Sequence, residues 1–289
     1  MNPIFEKKLD IVGFNACIYP LDNEYIGLIR NCYNHEVRGV YPEATNTLYF
    51  FKLNSNFDIL EYNILEDKSG RVIHKSWVTG PEDPRLISPT NALVITCDTN
   101  TRWKAEVSIM SFDYHSKIIS NLHPIQISGL ENNIQKNWLY IRSYDDEYSD
   151  YLYSSFPFKI ARISNKTFTG NIIKTINTDH NLVSHNGAIT KISEGYLLTT
   201  RIKKNYNYNY SLWIILDEEL NIIKISTPFL FKGKLEYDTN GSINISPYEM
   251  CMSLHVENNI LIACVSIDDK DVYIQKYNLN ELLLWIRQS

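Results

Sequence analysis

This chain has no long run of lysine or arginine, and its formal net charge is -5 at pH 7. Nucleic-acid binding by phosphate neutralisation is therefore not expected. The five cysteines, Cys17, Cys32, Cys97, Cys251 and Cys264, are odd in number, widely scattered and without paired metal-ligand spacing. That pattern argues for free thiols in a reducing compartment and against a zinc site. No stretch is apolar for the length of a membrane span, and the opening Met1-Asn2-Pro3-Ile4-Phe5-Glu6-Lys7-Lys8 has no apolar segment behind a basic end. An integral membrane segment is not expected, and a cytoplasmic location is.

Familiar catalytic signatures are missing too. No serine sits in a Gly-x-Ser-x-Gly elbow or at a recognised spacing from a histidine, which removes support for a nucleophilic triad. Neither a Gly-x-Gly-x-x-Gly run nor a Walker sequence is present, so nucleotide binding of those types has no basis. The acidic clusters Asp145-Asp146-Glu147 and Asp268-Asp269 do not follow a calcium-loop spacing. No metal and no organic cofactor are expected.

Long amphipathic helical patterns are scarce. What is abundant is short runs of Tyr, Ile, Val, Thr and Phe separated by Asn, Asp, Gly and Ser, the strand-and-turn pattern of an all-β protein. A first group holds Asn15 to Tyr19, Tyr25 to Arg30, Thr47 to Leu53 and Ile59 to Ile64. A second holds Leu86-Ile87, Ala92 to Cys97, Ala105 to Tyr114 and Lys117 to Ile127. The third runs from Trp138 to Ile176, the fourth from Ser184 to Ser226, and the last from Glu249 to Tyr277. The groups recur about every 50 residues, near the blade length of propellers made of four-stranded sheets. With 289 residues and 44% hydrophobic content, the expectation is a single five-bladed β-propeller domain over residues 1–289, with a two-sheet sandwich as the alternative. Asn280 to Arg287 reads as a short C-terminal helix whose apolar residues cap the barrel.

In a propeller the innermost strand of each blade lines a central channel, so polar residues at successive blade starts converge. The candidates are Asn15 and Arg30 in the first group, Asp83 and Arg85 opening the second, Lys136 and Asn137 opening the third, and His185 and Asn186 opening the fourth. Gly80-Pro81-Glu82-Asp83-Pro84-Arg85 is the most informative of these segments. Pro84 biases Asp83 toward extended geometry. Residues two apart in an extended chain share a face, so Asp83 and Arg85 are expected to point together and Glu82 away from them. Taken alone, the segment also fits a surface turn closed by an ion pair. The cation- and tyrosine-rich stretch from Arg201 to Tyr210 suits either a sugar-stacking loop or a solvated hairpin tip.

In this order the residues resemble the five-bladed propeller enzymes of glycoside hydrolase family 130, the β-mannoside phosphorylases, together with related β-1,2-mannosyltransferases. The anchors are Phe14-Asn15-Ala16-Cys17-Ile18 with Leu28-Ile29-Arg30, Gly80 to Arg85, Lys136-Asn137-Trp138 and His185-Asn186-Gly187. Thr227-Pro228-Phe229 and the hairpin around Val265 to Asp269 fall where the last blade of that family would place them. The resemblance implies that Asp83 is the acid acting on the glycosidic oxygen by way of a sugar hydroxyl. Arg30, Arg85, Lys136, Asn137 and His185 would then surround phosphate or another anion, with Asn15 a further substrate- or anion-binding residue.

Departures from that family's pattern are specific. Its usual Asn-Pro-Ser reads Asn15-Ala16-Cys17, its glycine-rich run in the fourth blade reads His185-Asn186-Gly187-Ala188, and Arg201 stands where histidine is common. They point toward a divergent member, a glycosyltransferase of surface polysaccharide synthesis using a nucleotide-sugar donor. An inverting β-mannoside phosphorylase or hydrolase, with phosphate as partner, is the alternative. A non-catalytic glycan-binding propeller is the second alternative.

Overall fold

A computed structural model describes residues 2–33, 44–74, 76, 78–101, 104–130, 134–177, 183–204, 208–233 and 248–289. Among these described residues, twenty-three strands and one helix follow in chain order. The strands form five sheets, antiparallel except for short edge additions, arranged as the blades of a β-propeller.

Blade 1 is built from Phe14–Leu21, Glu24–Tyr33, Ala44–Asn54 and Ile59–Ile64. Blade 2 contains Glu82–Ser88, Asn91–Thr96, Glu106–Asp113 and Ile118–Pro124. Blade 3 contains Leu139–Ser143, Tyr148–Ser155, Phe158–Ser164 and Thr169–Ile176. Blade 4 contains Val183–Ile192, Gly195–Lys204, Tyr208–Leu216 and Ile222–Ile225. In each blade the first strand is innermost, so the five inner strands all start on one face of the ring.

Blade 5 contributes only Glu249–Glu257, Ile260–Ile267 and Asp271–Asn278 from the C-terminal part of the chain. Its outer strand is Phe5–Lys8, paired antiparallel with Tyr273–Lys276. The ring is thus closed by hydrogen bonds between its two chain ends. The buried Gln275 reinforces the closure by donating to Glu6 Oε2 at 2.8 Å and to the Phe231 carbonyl at 3.0 Å. Connecting segments are also used as strands: Glu66–Asp67 adds in parallel to the outer edge of blade 2, and Gln126–Ile127 to that of blade 3.

The apolar core is divided among the blade interfaces. Phe50, Leu28 and Met110 fill the wedge between blades 1 and 2, and Val107, Trp138 and Ile163 the wedge between blades 2 and 3. Phe158, Leu198 and Ile214 fill the next. Trp213 and Val265 pack between blades 4 and 5, and Ile18, Phe51 and Ile274 between blades 5 and 1. Alternation along each strand sends one side chain into each neighbouring wedge, so both faces of every sheet are covered.

The C-terminal helix, Leu279–Gln288, is N-capped by Asn278, whose side chain accepts from the Glu281 N–H at 3.1 Å. It does not cap the barrel as expected. Leu279, Leu282, Leu283 and Ile286 form one buried stripe, and that stripe is satisfied by the wedge between blades 4 and 5, against Ile192, Trp213 and Leu254. Thr227-Pro228-Phe229 likewise belongs to blade 4 and not to the last blade. Phe229 exchanges backbone hydrogen bonds with Ser211 at 2.9 and 3.0 Å and stacks on Trp213 at 5.3 Å. No helix among the described residues is long and apolar enough to cross a membrane.

Candidate active site

Each inner strand carries a register shift against its neighbour: between Phe14 and Cys17, Glu82 and Arg85, Tyr140 and Arg142, Asn186 and Ile189, and Cys251 and Ser253. A bulge adds twist and re-aims side chains, and here it does so around the channel. Asn15, Asp83 and Asn137 adopt φ values of 53°, 47° and 58°. The left-handed region is disfavoured for side-chain-bearing residues, with Asn and Asp the most tolerant. Three of the eight candidate residues therefore owe their direction to a backbone conformation that a regular strand does not have.

The expected alternation at Glu82-Asp83-Pro84-Arg85 is overturned for this reason. Pro84 does not hold Asp83 extended; the left-handed turn at Asp83 brings both acids onto one cation. Arg30, from the second strand of blade 1, donates from Nη1 to Asp83 Oδ1 at 2.9 Å and from Nη2 to Glu82 Oε1 at 3.3 Å. Its Nε donates to Asn46 Oδ1 at 2.6 Å, while Asn46 Nδ2 donates to Glu82 Oε1 at 3.2 Å. Asn15 Nδ2 completes the group by donating to Asp83 Oδ1 at 2.7 Å. Lys136 Nζ lies 3.6 Å from Glu82 Oε2. Gly80, with φ of 84°, permits the approach: a Cβ there would fall 2.2 Å from the Asn46 carbonyl oxygen.

Arg85 leaves Asp83 and turns to blades 3 and 4. One terminal nitrogen donates to the Gly187 carbonyl; the other donates to the Asn186 carbonyl at 3.0 Å and to Asn137 Oδ1 at 3.4 Å. A Cβ on Gly187 would strike Thr199 Oγ1 at 2.2 Å, so glycine is required where Arg85 docks. Asn137 Nδ2 lies 3.0 Å from His185 Nδ1. Asn186 is buried between blades, accepting from Ser155 Oγ and donating weakly to the Leu152 and Tyr153 carbonyls at 3.4 Å. Beside Asn137 and His185 a cavity of about 240 Å³ opens, walled by Trp138, Tyr153 and Ser184, with Lys136 in its lining.

Charge in this region is concentrated and poorly hydrated. Burial pushes the Asp83 carboxyl up, but Arg30, the Asn15 amide and Lys136 more than offset it and leave it below the usual carboxylate range. Burial pulls the Arg30 guanidinium down, and Asp83 and Glu82 outweigh that and raise it. Arg85 is buried, and its guanidinium is lowered by desolvation, against the pull of Asp83. His185 is pushed down to about 4, first by burial and then by the cations Arg201, Lys203 and Lys136.

All eight sequence candidates lie in this one region, six on or beside inner strands of blades 1 to 4, with Arg30 one strand out and Lys136 half-exposed at the rim. Asn46, Glu82, Arg201 and Tyr248 join them without having been selected. Arg201 Cζ sits 3.6 Å from the centre of the Tyr248 ring, and the two occupy adjacent blades. Tyr248 directly precedes the inner strand of blade 5, so the blade-start rule, extended to the fifth blade, identifies it. Asn46 lies on a third strand and carries no such signal. In the stretch from Arg201 to Tyr210, residues 205–207 lie outside the described residues. No group of three or more His, Cys, Asp or Glu side chains among the described residues is placed to hold a metal ion.

No family model matches the chain, and no curated protein matches it. Solved structures do. A β-1,2-mannobiose phosphorylase from Listeria innocua, in complex with β-1,2-mannobiose, is 12% identical with a TM-score of 0.64, covering 100% of this chain and 96% of that one. A glycosyl hydrolase from Bacteroides ovatus is 12% identical with a TM-score of 0.68, covering 94% and 86%. A structure reported for glycoside hydrolases of the family 130 mannoside phosphorylases that target β-1,2-mannosidic linkages in Candida mannan is 11% identical, with a TM-score of 0.61 over 94% and 86%. At these identities the likeness is one of fold: the five-bladed propeller is shared.

Proposed function

We propose that this protein is a carbohydrate-active enzyme that cleaves β-linked, mannose-like glycosides by phosphorolysis with inversion. The observation that carries the proposal is the surplus of positive charge around a single available carboxylate. Arg30 and Lys136 act on Asp83, and the cations Arg201, Lys203 and Lys136 add to burial in holding the neighbouring His185 neutral down to about pH 4. A surplus of cations at a developing anion is what phosphoryl-group binding needs.

Asp83 serves as the acid. Phosphate attacks the anomeric carbon from the face opposite the glycosidic oxygen, the carbon–oxygen bond breaks, and the proton of Asp83 reaches the departing oxygen by way of a sugar hydroxyl. The products are a sugar 1-phosphate and the free leaving sugar. Arg30 and Asn15 keep Asp83 ionised in the absence of an anion; a bound phosphate adds negative charge nearby and raises its pKa, so the acid is loaded together with the nucleophile. A hydrolase of inverting type needs a second carboxylate to activate water. Glu82 is a poor candidate for that role, since it is 4% exposed and engaged by Arg30, Asn46 and Lys136.

The same cations suit the diphosphate of a nucleotide-sugar donor, which is the basis of the transferase reading. The structurally similar proteins named above are a phosphorylase and hydrolases, and this favours phosphorolysis over transfer. A reducing, cytoplasmic setting is part of the proposal, consistent with five free cysteines, four of them buried. The test is to incubate the protein with β-1,2-mannobiose and related β-mannosides, with and without phosphate, and with nucleotide sugars. Phosphate-dependent release of mannose 1-phosphate is the expected result. Release of nucleoside diphosphate from a donor would replace phosphorolysis by transfer, and binding without turnover across all substrates would support a glycan-binding protein.

A further inference from the structure

The channel has a second mouth. The inner strands that carry Asn15, Asp83 and His185 near their starts end on the opposite face of the ring, where a cavity of about 320 Å³ opens. From Asn15 to Tyr19 is four residues of strand, about 13 Å at the usual rise, so the two mouths do not share a chamber. Arg85 is the partition: it lines the far cavity while its terminal nitrogens bond the Asn186 and Gly187 carbonyls and Asn137 on the near side. Its buried Nε–H has no acceptor among the described residues.

The far cavity has a different chemistry from the near one. Tyr19, Tyr140, Thr190, Ser253 and His255 line it beside aliphatic walls. His255 Nε2 lies 2.6 Å from the Ile18 carbonyl, so that nitrogen carries the proton and Nδ1 is an acceptor. Ser253 Oγ accepts from the Ile18 N–H at 3.0 Å, which leaves its hydroxyl hydrogen to donate. The hydroxyls of Tyr19 and Thr190 have no hydrogen-bond partner among the described residues, and the Tyr19 ring meets His255 edge-on at 5.8 Å. Lys191 reaches this rim too, but its ammonium is engaged by Glu218 and the Tyr196 ring. Burial holds His255 neutral, at about 4. The result is a concave site with aromatic surface, hydroxyl donors, an imidazole acceptor and no carboxylate.

We propose that this far mouth is a second, non-catalytic binding site for a neutral pyranose, separated from the Asp83 site by Arg85. Aromatic and aliphatic walls suit the C–H faces of a sugar ring, and convergent hydroxyls and an acceptor suit its alcohols. An anion fits less well, because Arg85, the cation of the floor, already spends both terminal nitrogens on protein carbonyls.

The site can be read directly by isoleucine methyl NMR, since Ile87, Ile141 and Ile189 line it. Free mannose is titrated into the full-length protein, into Tyr19→Phe/Thr190→Val, and into His185→Ala. Saturable shifts at those three methyls are expected in the unmodified protein and in His185→Ala. The double variant should need about tenfold more mannose, from the loss of two hydrogen bonds, with its melting temperature and turnover unchanged. No saturable shift, an unchanged midpoint in the double variant, or loss of the shifts in His185→Ala would each overturn the proposal. So would shifts caused by inorganic phosphate and not by mannose. The readout does not depend on turnover, so it stands or falls separately from the phosphorylase reading.

Discussion

Glu82 and Asp83, adjacent in sequence, present their carboxylates to one guanidinium: Arg30 reaches Asp83 Oδ1 at 2.9 Å and Glu82 Oε1 at 3.3 Å. In a regular strand they would face opposite sides of the sheet. The shared cation ties the ionisation of Asp83 to the negative charge set beside it.

Replacing Glu82 by glutamine leaves Arg30 with one carboxylate. Asp83 then sees a less compensated positive charge, and its already lowered pKa falls further. A general acid loses activity as pH rises through its pKa, so the basic limb of the kcat/KM profile should move to lower pH. A shift to higher pH would refute the electrostatic link between the two acids.

Asp83→Asn keeps an amide oxygen for Arg30 and Asn15 to donate to, but has no proton to give. Turnover should fall by about 10²–10⁴-fold, while the circular dichroism spectrum and melting temperature stay close to those of the parent. Full activity would remove Asp83 from the chemistry.

Lys136 is 41% exposed on its side chain, so the fold tolerates its truncation. Lys136→Ala should raise the KM for phosphate by about tenfold, in keeping with loss of a hydrogen bond to a charged group, and change kcat little, the pattern of lost uniform binding. The increase should shrink at high ionic strength. An unchanged KM would place the anion elsewhere.

His185 and His255 are both held at about 4, against an ordinary value near 6.5, mainly by burial. Between those values the unfolded chain binds protons that the folded protein does not. Stability is therefore complete above about pH 6.5 and declines as pH falls toward 4. Melting temperature measured across that range should drop, and the imidazole NMR signals of both residues should not titrate between pH 5 and 8.

The terminal helix offers a packing test. Ile286 is fully buried and Leu284 is 54% exposed. Ile286→Ala should cost about 2–5 kcal/mol in denaturant unfolding, and Leu284→Ala less than about 0.5 kcal/mol. Equal effects would mean that the helix packs on a different face.

Much of the ring is legible in the chain because strand alternation is local. Tyr25 to Arg30, Ile59 to Ile64 and Ile260 to Ser266 all lie within observed strands. The closing strand is not legible that way: Phe5–Lys8 is short and mostly exposed, and its identity comes from pairing with Tyr273–Lys276 at the other end of the chain. The helix was readable from Asn280 to Arg287, but its destination was not, since an apolar stripe specifies a partner surface without saying which. Asn15, Asp83 and Asn137 stood out as polar residues at blade starts. Their left-handed backbones did not, because Asn and Asp also occur throughout turns.

By itself, then, the sequence pointed to five groups of strands and to the polar residues placed at four of their starts, which follow from short-range periodicity and turn chemistry. Only the tertiary structure decided what those residues do to one another. It set Glu82 beside Asp83 on Arg30, sent Arg85 across to Gly187, brought Tyr248 onto Arg201, and left a second mouth at Tyr19 and His255. The physical reason is that bulges, left-handed residues and ring closure are settled by contacts between blades, and such contacts have no counterpart in any local stretch of chain.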